Sequence, residues 1–218
     1  MQSQDQNSIY KVLKNYIPNS VMANKNKAKT WKYGYNEKYK LVIISRDGTL
    51  GDIYEISNVI IGLPKTPKTF DNQKEKKENQ VWTPTIQPKV LKRIQSIFQW
   101  NEMPVSFKNS WVDYIEKEFD KREEGHWFLN NGIPTYITGT HYMYLQWTKI
   151  DVGHPDFREA NRIFFIFWEA CKADNRSFGM CYLKIRRSGF SFMSSSEGVN
   201  QATITRDARI GIFFFFFF

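Results

Sequence analysis

The stretch "CYLKIRRSGFSFMSSSEG", residues 181 to 198, restricts this chain more than any other. The apolar run from Cys181 to Ile185 predicts a buried strand, and it enters a basic turn built around Gly189. Ser191 and the small residues after it can open a helix. A strand, a glycine turn and a helix start, in that order, aim successive backbone N–H groups at one point, which suits an anion. The usual phosphate loop places a lysine just before its last hydroxyl, and here that slot holds Phe190. Arg186 or Arg187 at the front of the loop would then supply the charge, with Ser188 between them and the glycine. Gly189 permits close approach of a phosphate, and Ser191 stands where a Mg²⁺-holding hydroxyl belongs. The alternative is an ordinary strand-to-helix turn carrying two solvated arginines, and the residues leave both readings open.

The flanking segments give that loop a setting. "SWVDYIEKEFDKREEG" (110 to 125) places Trp111, Tyr114, Ile115 and Phe119 on one helical stripe, with Ser110 as a cap and Gly125 just past the end. "HWFLNNGIPTYITGTHYMYLQWTKID" (126 to 151) reads as a turn followed by an aromatic, β-prone run, with bends at Asn131-Gly132 and Gly139. "HPDFREANRIFFIFWEACKAD" (154 to 174) predicts a largely buried helix, with Pro155 in its first turn. The order helix, turn, strand, loop, helix, strand is one α/β repeat, ending as "ARIGI" (208 to 212) begins another buried strand.

The amino-terminal part differs in kind. Residues 1 to 100 hold 17 Lys+Arg against 8 Asp+Glu, whereas residues 101 to 218 hold 14 of each, so the first part carries the whole formal charge of +9. It reads as a basic module suited to a polyanion or acidic surface, or else as a solvated lysine-rich face. Residues 1 to 30 are polar, with one short helix expected around "IYKVLKNY". In "KYKLVIISRDGTLGDIYEISNVIIGLP" (38 to 64), two β-branched runs flank Asp47-Gly48, which predicts a hairpin. "PKTPKTFDNQKEKKENQ" (64 to 80) reads as a linker, and the predicted division is 1–80 from 81–212.

Cys171 and Cys181 read as buried free thiols, and His126, His141 and His154 lack ligand spacing, so no metal site is expected from them. No signal-peptide core opens the chain, and "IFFIFW" (163 to 168) is too short to span a bilayer, which predicts a soluble intracellular protein without membrane contact. Phe213 to Phe218 would be an aggregation liability, so the tract reads as an artefact, with the natural chain expected to continue past Ile212.

"NNGIPTYITGTHYMYLQW", "PDFREANRIFFIFWEA" and "FGMCYLKIRRSGFSFMSSSE" together resemble the ATPase domain of tailed-phage terminase large subunits, closest to the branch found in crAss-like phages. The resemblance covers roughly residues 85 to 212 and leaves the first 80 unplaced. It implies an α/β fold: the start of a P-loop NTPase, an incomplete parallel sheet with flanking helices, preceded by the small basic hairpin-containing module. It also implies ATP and Mg²⁺ as cofactors and hydrolysis coupled to pumping double-stranded DNA into a capsid. Partners would be a portal protein and a small terminase subunit, within a homo-oligomeric ring in the cytoplasm of an infected bacterium. The deviant loop of that family puts a basic residue early, which Arg186 or Arg187 matches, with the 187–191 backbone cradling phosphate and Ser191 on Mg²⁺. Gln146 is a candidate for reading the adenine edge, although segment 136 to 147 reads more simply as aromatic core. Hydrolysis needs a second acidic site on a later strand, and the family's nuclease aspartates lie further on, so this chain is expected to bind nucleotide weakly at best and not to hydrolyse it. Competing with that reading are a non-catalytic nucleic-acid binder gripping through "KNKAKTWKYGYNEKYK" and a module that docks onto another motor part.

Overall fold

The computed structural model describes residues 31–71, 82–84, 97–151, 153–183, 189–205 and 207–211. The chain is mixed α/β, and its contacts divide it into two units that interleave in sequence. The first contains residues 1–75 and 163–183, and the second contains 76–162 and 184–218. The short helix expected at residues 9 to 16 and most of the 64–80 linker lie outside the described residues.

The first unit is built on a small mixed sheet of β1 (Gly34–Asn36), β2 (Leu41–Ile43), β3 (Ile53–Ile56) and β4 (Val59–Gly62), in the order β1-β2-β4-β3. The β2–β4 pair is parallel and the other two pairs are antiparallel. Leu41, Val42, Ile43, Ile61 and Leu63 are fully buried, so β2 and β4 form the apolar centre. The hairpin expected across Asp47-Gly48 is not there. Asp47 does stand in a turn, accepting from the Thr49 amide at 2.9 Å and from Ser45, but the strands on either side of it do not pair with each other. The two-residue hairpin turn is Ser57-Asn58, joining β3 to β4 with φ of 49° and 63°. Both residues have the left-handed conformation that matches strand twist, and Asn tolerates it better than most. After β4, Lys68–Asp71 makes a single helical turn, α1.

Residues 163–183 complete this unit and include most of the helix Glu159–Ala173. Glu169 on that helix is almost wholly buried and is surrounded by donors. It accepts from Tyr33 Oη at 3.3 Å and Arg46 at 3.4 Å, and pairs with Lys172 Nζ at 2.7 Å. Burial, with Glu169 close by, pushes the Tyr33 hydroxyl up to about 12, so it stays a donor. Beyond the helix, Arg176 clasps Asp174 at 3.0 and 2.8 Å and lays its guanidinium 3.3 Å from the centre of the Tyr35 ring.

In the second unit, after the short α2 (Ile97–Glu102), the long helix α3 (Val105–Glu124) starts at Pro104 and stops at Gly125. Gly125 is the predicted stop, but the start lies earlier than Ser110, whose hydroxyl donates back to Phe107 O at 2.6 Å within the helix. The buried stripe also shifts. Phe119 is 41% exposed under the Arg122 guanidinium, while Glu118 is buried because Tyr142 Oη (2.6 Å) and Lys121 Nζ (2.7 Å) satisfy its carboxylate.

An antiparallel hairpin follows, β5 (His126–Asn130) and β6 (Ile133–Ile137), turning at Asn131-Gly132. The β-prone run then departs from expectation, because Gly139–Gln146 is a helix, α4. Thr138 caps it, accepting from the His141 amide at 3.4 Å, and all its residues except Met143 are buried. Burial on every side overrides the strand preference of its aromatic residues. The next helix, α5, runs over Glu159–Ala173, so Pro155 precedes it instead of entering its first turn. Its first bond is Arg162 N to Arg158 O, 3.0 Å. The last helix, α6, is Phe190–Ile204.

Two predicted strands do not form over their described residues. Residues 180–183 are irregular, with Cys181 and Leu183 exposed, and residues 208–211 are irregular as well. A strand is made by the ladder it joins, and strand-like composition without that ladder leaves irregular chain. Residues 184–185 and Ile212 lie outside the described residues. Cys181 is therefore exposed and Cys171 half-buried, against the expectation that both thiols are interior. Among the described residues of 81–212, the growing parallel sheet is represented only by the antiparallel β5–β6 pair.

Candidate functional site

The head of α6 is the described part of the predicted phosphate loop. Gly189 sits just before the helix in the left-handed conformation, φ 79° and ψ 8°, which a side chain would strain. Its carbonyl receives Phe192 N at 3.1 Å and Met193 N at 3.2 Å, closing the first turn. The opening N–H groups of the helix stay outside its internal ladder and carry the positive end of its dipole. Phe190 is half-buried and Ser191 is exposed on that first turn. Arg186, Arg187 and Ser188 lie outside the described residues.

Around this head the second unit adds groups that the sequence did not single out. Tyr144, on α4, brings its hydroxyl beside Gly189, where a Cβ would meet it at 3.8 Å. Burial raises the Tyr144 pKa, Arg158 opposes that rise and Asp156 adds to it, which places both charges within electrostatic reach of the phenol. Gln146 is the last residue of α4 and only 3% exposed. The surrounding segment is core, with Tyr136, Ile137, Tyr142, Tyr144 and Leu145 all buried.

The rest of α6 docks on α3 and α4 through polar side chains. Asn200, 1% exposed, donates its amide to Arg122 O at 3.0 Å and to Thr140 Oγ1 at 3.4 Å. Its own oxygen accepts from Arg122 Nε at 3.0 Å. The Arg122 guanidinium also reaches Thr203, and Thr140 donates to Glu197. Ser196 meets Thr148 at 2.7 Å and donates to Phe192 O at 2.8 Å. Only Met193 among the buried residues of α6 is apolar. In "SSSEGVNQAT" the one trace of this polar seam is the period of three to four in Met193, Ser196, Glu197 and Asn200.

Two histidines of this unit, His141 and His126, sit within its aromatic packing, whereas His154 is exposed. His141 is fully buried and stacked 5.7 Å from Phe157, and burial with Arg162 nearby brings it down to about 3. His126 packs with Trp82 and Tyr142, and burial holds it down to about 4. Among the described residues no three potential ligands gather into a metal site, and no helix is long and apolar enough to cross a membrane. Comparison with protein-family models, with curated proteins and with solved structures returns no match to this chain.

Proposed function

We propose that this chain is the nucleotide-binding portion of a viral DNA-packaging motor of the large-terminase type, taking the phosphates of ATP at the head of α6. The observation that carries this reading is the left-handed Gly189 set before a 15-residue helix with Ser191 exposed on its first turn. Backbone N–H groups and a helix dipole converge on such a point, and the glycine lets a phosphate approach. The ordered blocks that resemble terminases supply the remaining support, including the assignment of a P-loop NTPase fold. Arg186 or Arg187 provides the charge that Phe190 does not, Ser191 holds Mg²⁺, and Gln146, buried at the end of α4, remains the candidate that the resemblance offers for the adenine edge. In the full motor, ATP hydrolysis drives double-stranded DNA through a ring of subunits, beside a portal protein and a small subunit.

Titration of the chain with a fluorescent ATP analogue, with and without Mg²⁺, tests this. Charge-assisted bonds contribute about 1.5–3 kcal/mol each, so Arg187→Ala or Arg186→Ala is expected to weaken binding about tenfold or more. Ser191→Ala is expected to remove the Mg²⁺ dependence. Affinity indifferent to both arginines defeats the reading. Binding to nucleic acid that falls steeply with salt, with no nucleotide affinity, favours the non-catalytic alternative.

A further inference from the structure

We infer that Asn200 is a positioning residue that links the head of α6 to the carboxyl end of α3; this rests on the phosphate reading of that head. The last carbonyls of any helix lack partners inside it and must find them elsewhere. At the end of α3, Lys121 O takes Gly125 N at 3.1 Å, Glu124 O takes Tyr136 Oη at 2.7 Å, and Arg122 O takes the Asn200 amide at 3.0 Å. Asn200 is the only one of these three partners that belongs to α6. It uses its donor on Arg122 O and its acceptor on Arg122 Nε, so both halves of one amide read the same residue.

The same amide touches Thr140, whose hydroxyl donates to Glu197 one turn earlier on α6. These bonds are directional and buried, so α6 has few positions that satisfy them together. A helix held by apolar packing can shift slightly at small cost, but one held by a buried polar seam leaves donors and acceptors unsatisfied when it moves. A phosphate drawn to the first turn of α6 pulls along the helix axis, and Asn200 passes that pull to the Arg122 carbonyl. Occupancy of the head and order at the end of α3 are therefore coupled, and by linkage each reports on the other.

Hydrogen exchange on the full chain, with and without Mg²⁺ and ATP, tests the coupling, using Asn200→Asp as the variant. Aspartate keeps the shape and the acceptor for Arg122 Nε but loses the donor to Arg122 O. In the wild type, ATP is expected to slow exchange at residues 190–193 and, severalfold, at residues 121–125. In N200D the protection at 190–193 is expected to persist while the effect at 121–125 disappears. A merely structural role would lower protection everywhere without separating the two regions. Persistence of the effect at 121–125 in N200D overturns the proposal, as does a wild type in which ATP protects only the head. A wild type that ATP does not protect at all overturns the phosphate reading and the coupling with it, whereas the first two outcomes leave ATP binding intact. If N200D loses the cooperative thermal transition of the wild type, Asn200→Ser takes its place under the same comparison.

Discussion

His141 shows how one buried side chain sets a pH response. Its ring is fully enclosed, stacked on Phe157 with the Arg162 guanidinium nearby, and both burial and that charge favour the neutral form. The folded protein resists protonating it until about pH 3, whereas in the unfolded chain it titrates near 6.5. Between those values the unfolded state binds a proton that the folded state refuses. Stability is therefore full above pH 6.5 and falls as the pH drops toward 3, by up to about 1.4 kcal/mol per unit. His126, held down to about 4, adds a loss of the same sign. His141→Phe, which keeps an aromatic ring against Phe157, is expected to flatten the midpoint of thermal unfolding between pH 4 and 6 relative to the wild type. An unchanged slope would show that His141 takes no part in acid destabilisation. The enclosure left no sign in the sequence, because it comes from Phe157 and Arg162 folding around the ring.

At the scale of elements, residues with strong local conformational rules were the easiest to read. Asn131-Gly132 bends where expected because a hairpin needs left-handed residues there, and Gly125 ends α3 for a related reason. Asp47-Gly48 also turns, but which strands pair across a turn depends on partners far along the chain, and β2 takes β4. The irregular course of residues 181–183 and the helical one of α4 depart from strand expectations through the same cause. Aromatic and β-branched residues state a preference for a flat, half-buried surface, and tertiary surroundings decide whether one exists. The head of α6 was legible because Gly189 marks a turn from which a helix can start, whereas the docking of that helix was not, being carried by polar side chains. Gly139 offers a direct test of how tightly these elements meet. A Cβ there would lie 2.1 Å from Arg122 O, so the first turn of α4 rests against the end of α3 backbone to backbone. Gly139→Ala must part the two helices, and it is expected to cost about 1–3 kcal/mol even though alanine is the better helix former. Chemical denaturation measures this, and a neutral or stabilising substitution would refute the close approach.

The whole molecule is organised by contacts that ignore the order of the chain. Tyr33 and Glu169 bond across 136 residues, and Arg46 meets the same carboxylate across 123. The first unit therefore cannot finish until residues 163–183 have been made and have returned to it, and such distant closure is slow to form. The basic amino-terminal module reads in sequence as something attached in front of a domain, and a cut inside the linker at 64–80 looks harmless. The contacts argue otherwise, because that cut separates Tyr33 and Arg46 from Glu169. A chain beginning at residue 81 would take from Glu169 its Tyr33 and Arg46 donors, leave Lys172, at 2.7 Å, as its partner among the described residues, and open the face of α5 that the β1 segment covers to solvent. In limited proteolysis of such a shortened chain, cleavage between residues 163 and 183 is expected to accelerate strongly, while the β5–β6 hairpin in the other unit keeps its resistance. Adding the 1–80 fragment back is expected to restore protection of 163–183 at least in part, since the missing donors return with it. Equal resistance with and without residues 1–80 would mean that the helix stands on its own and that the interleaving carries little energy.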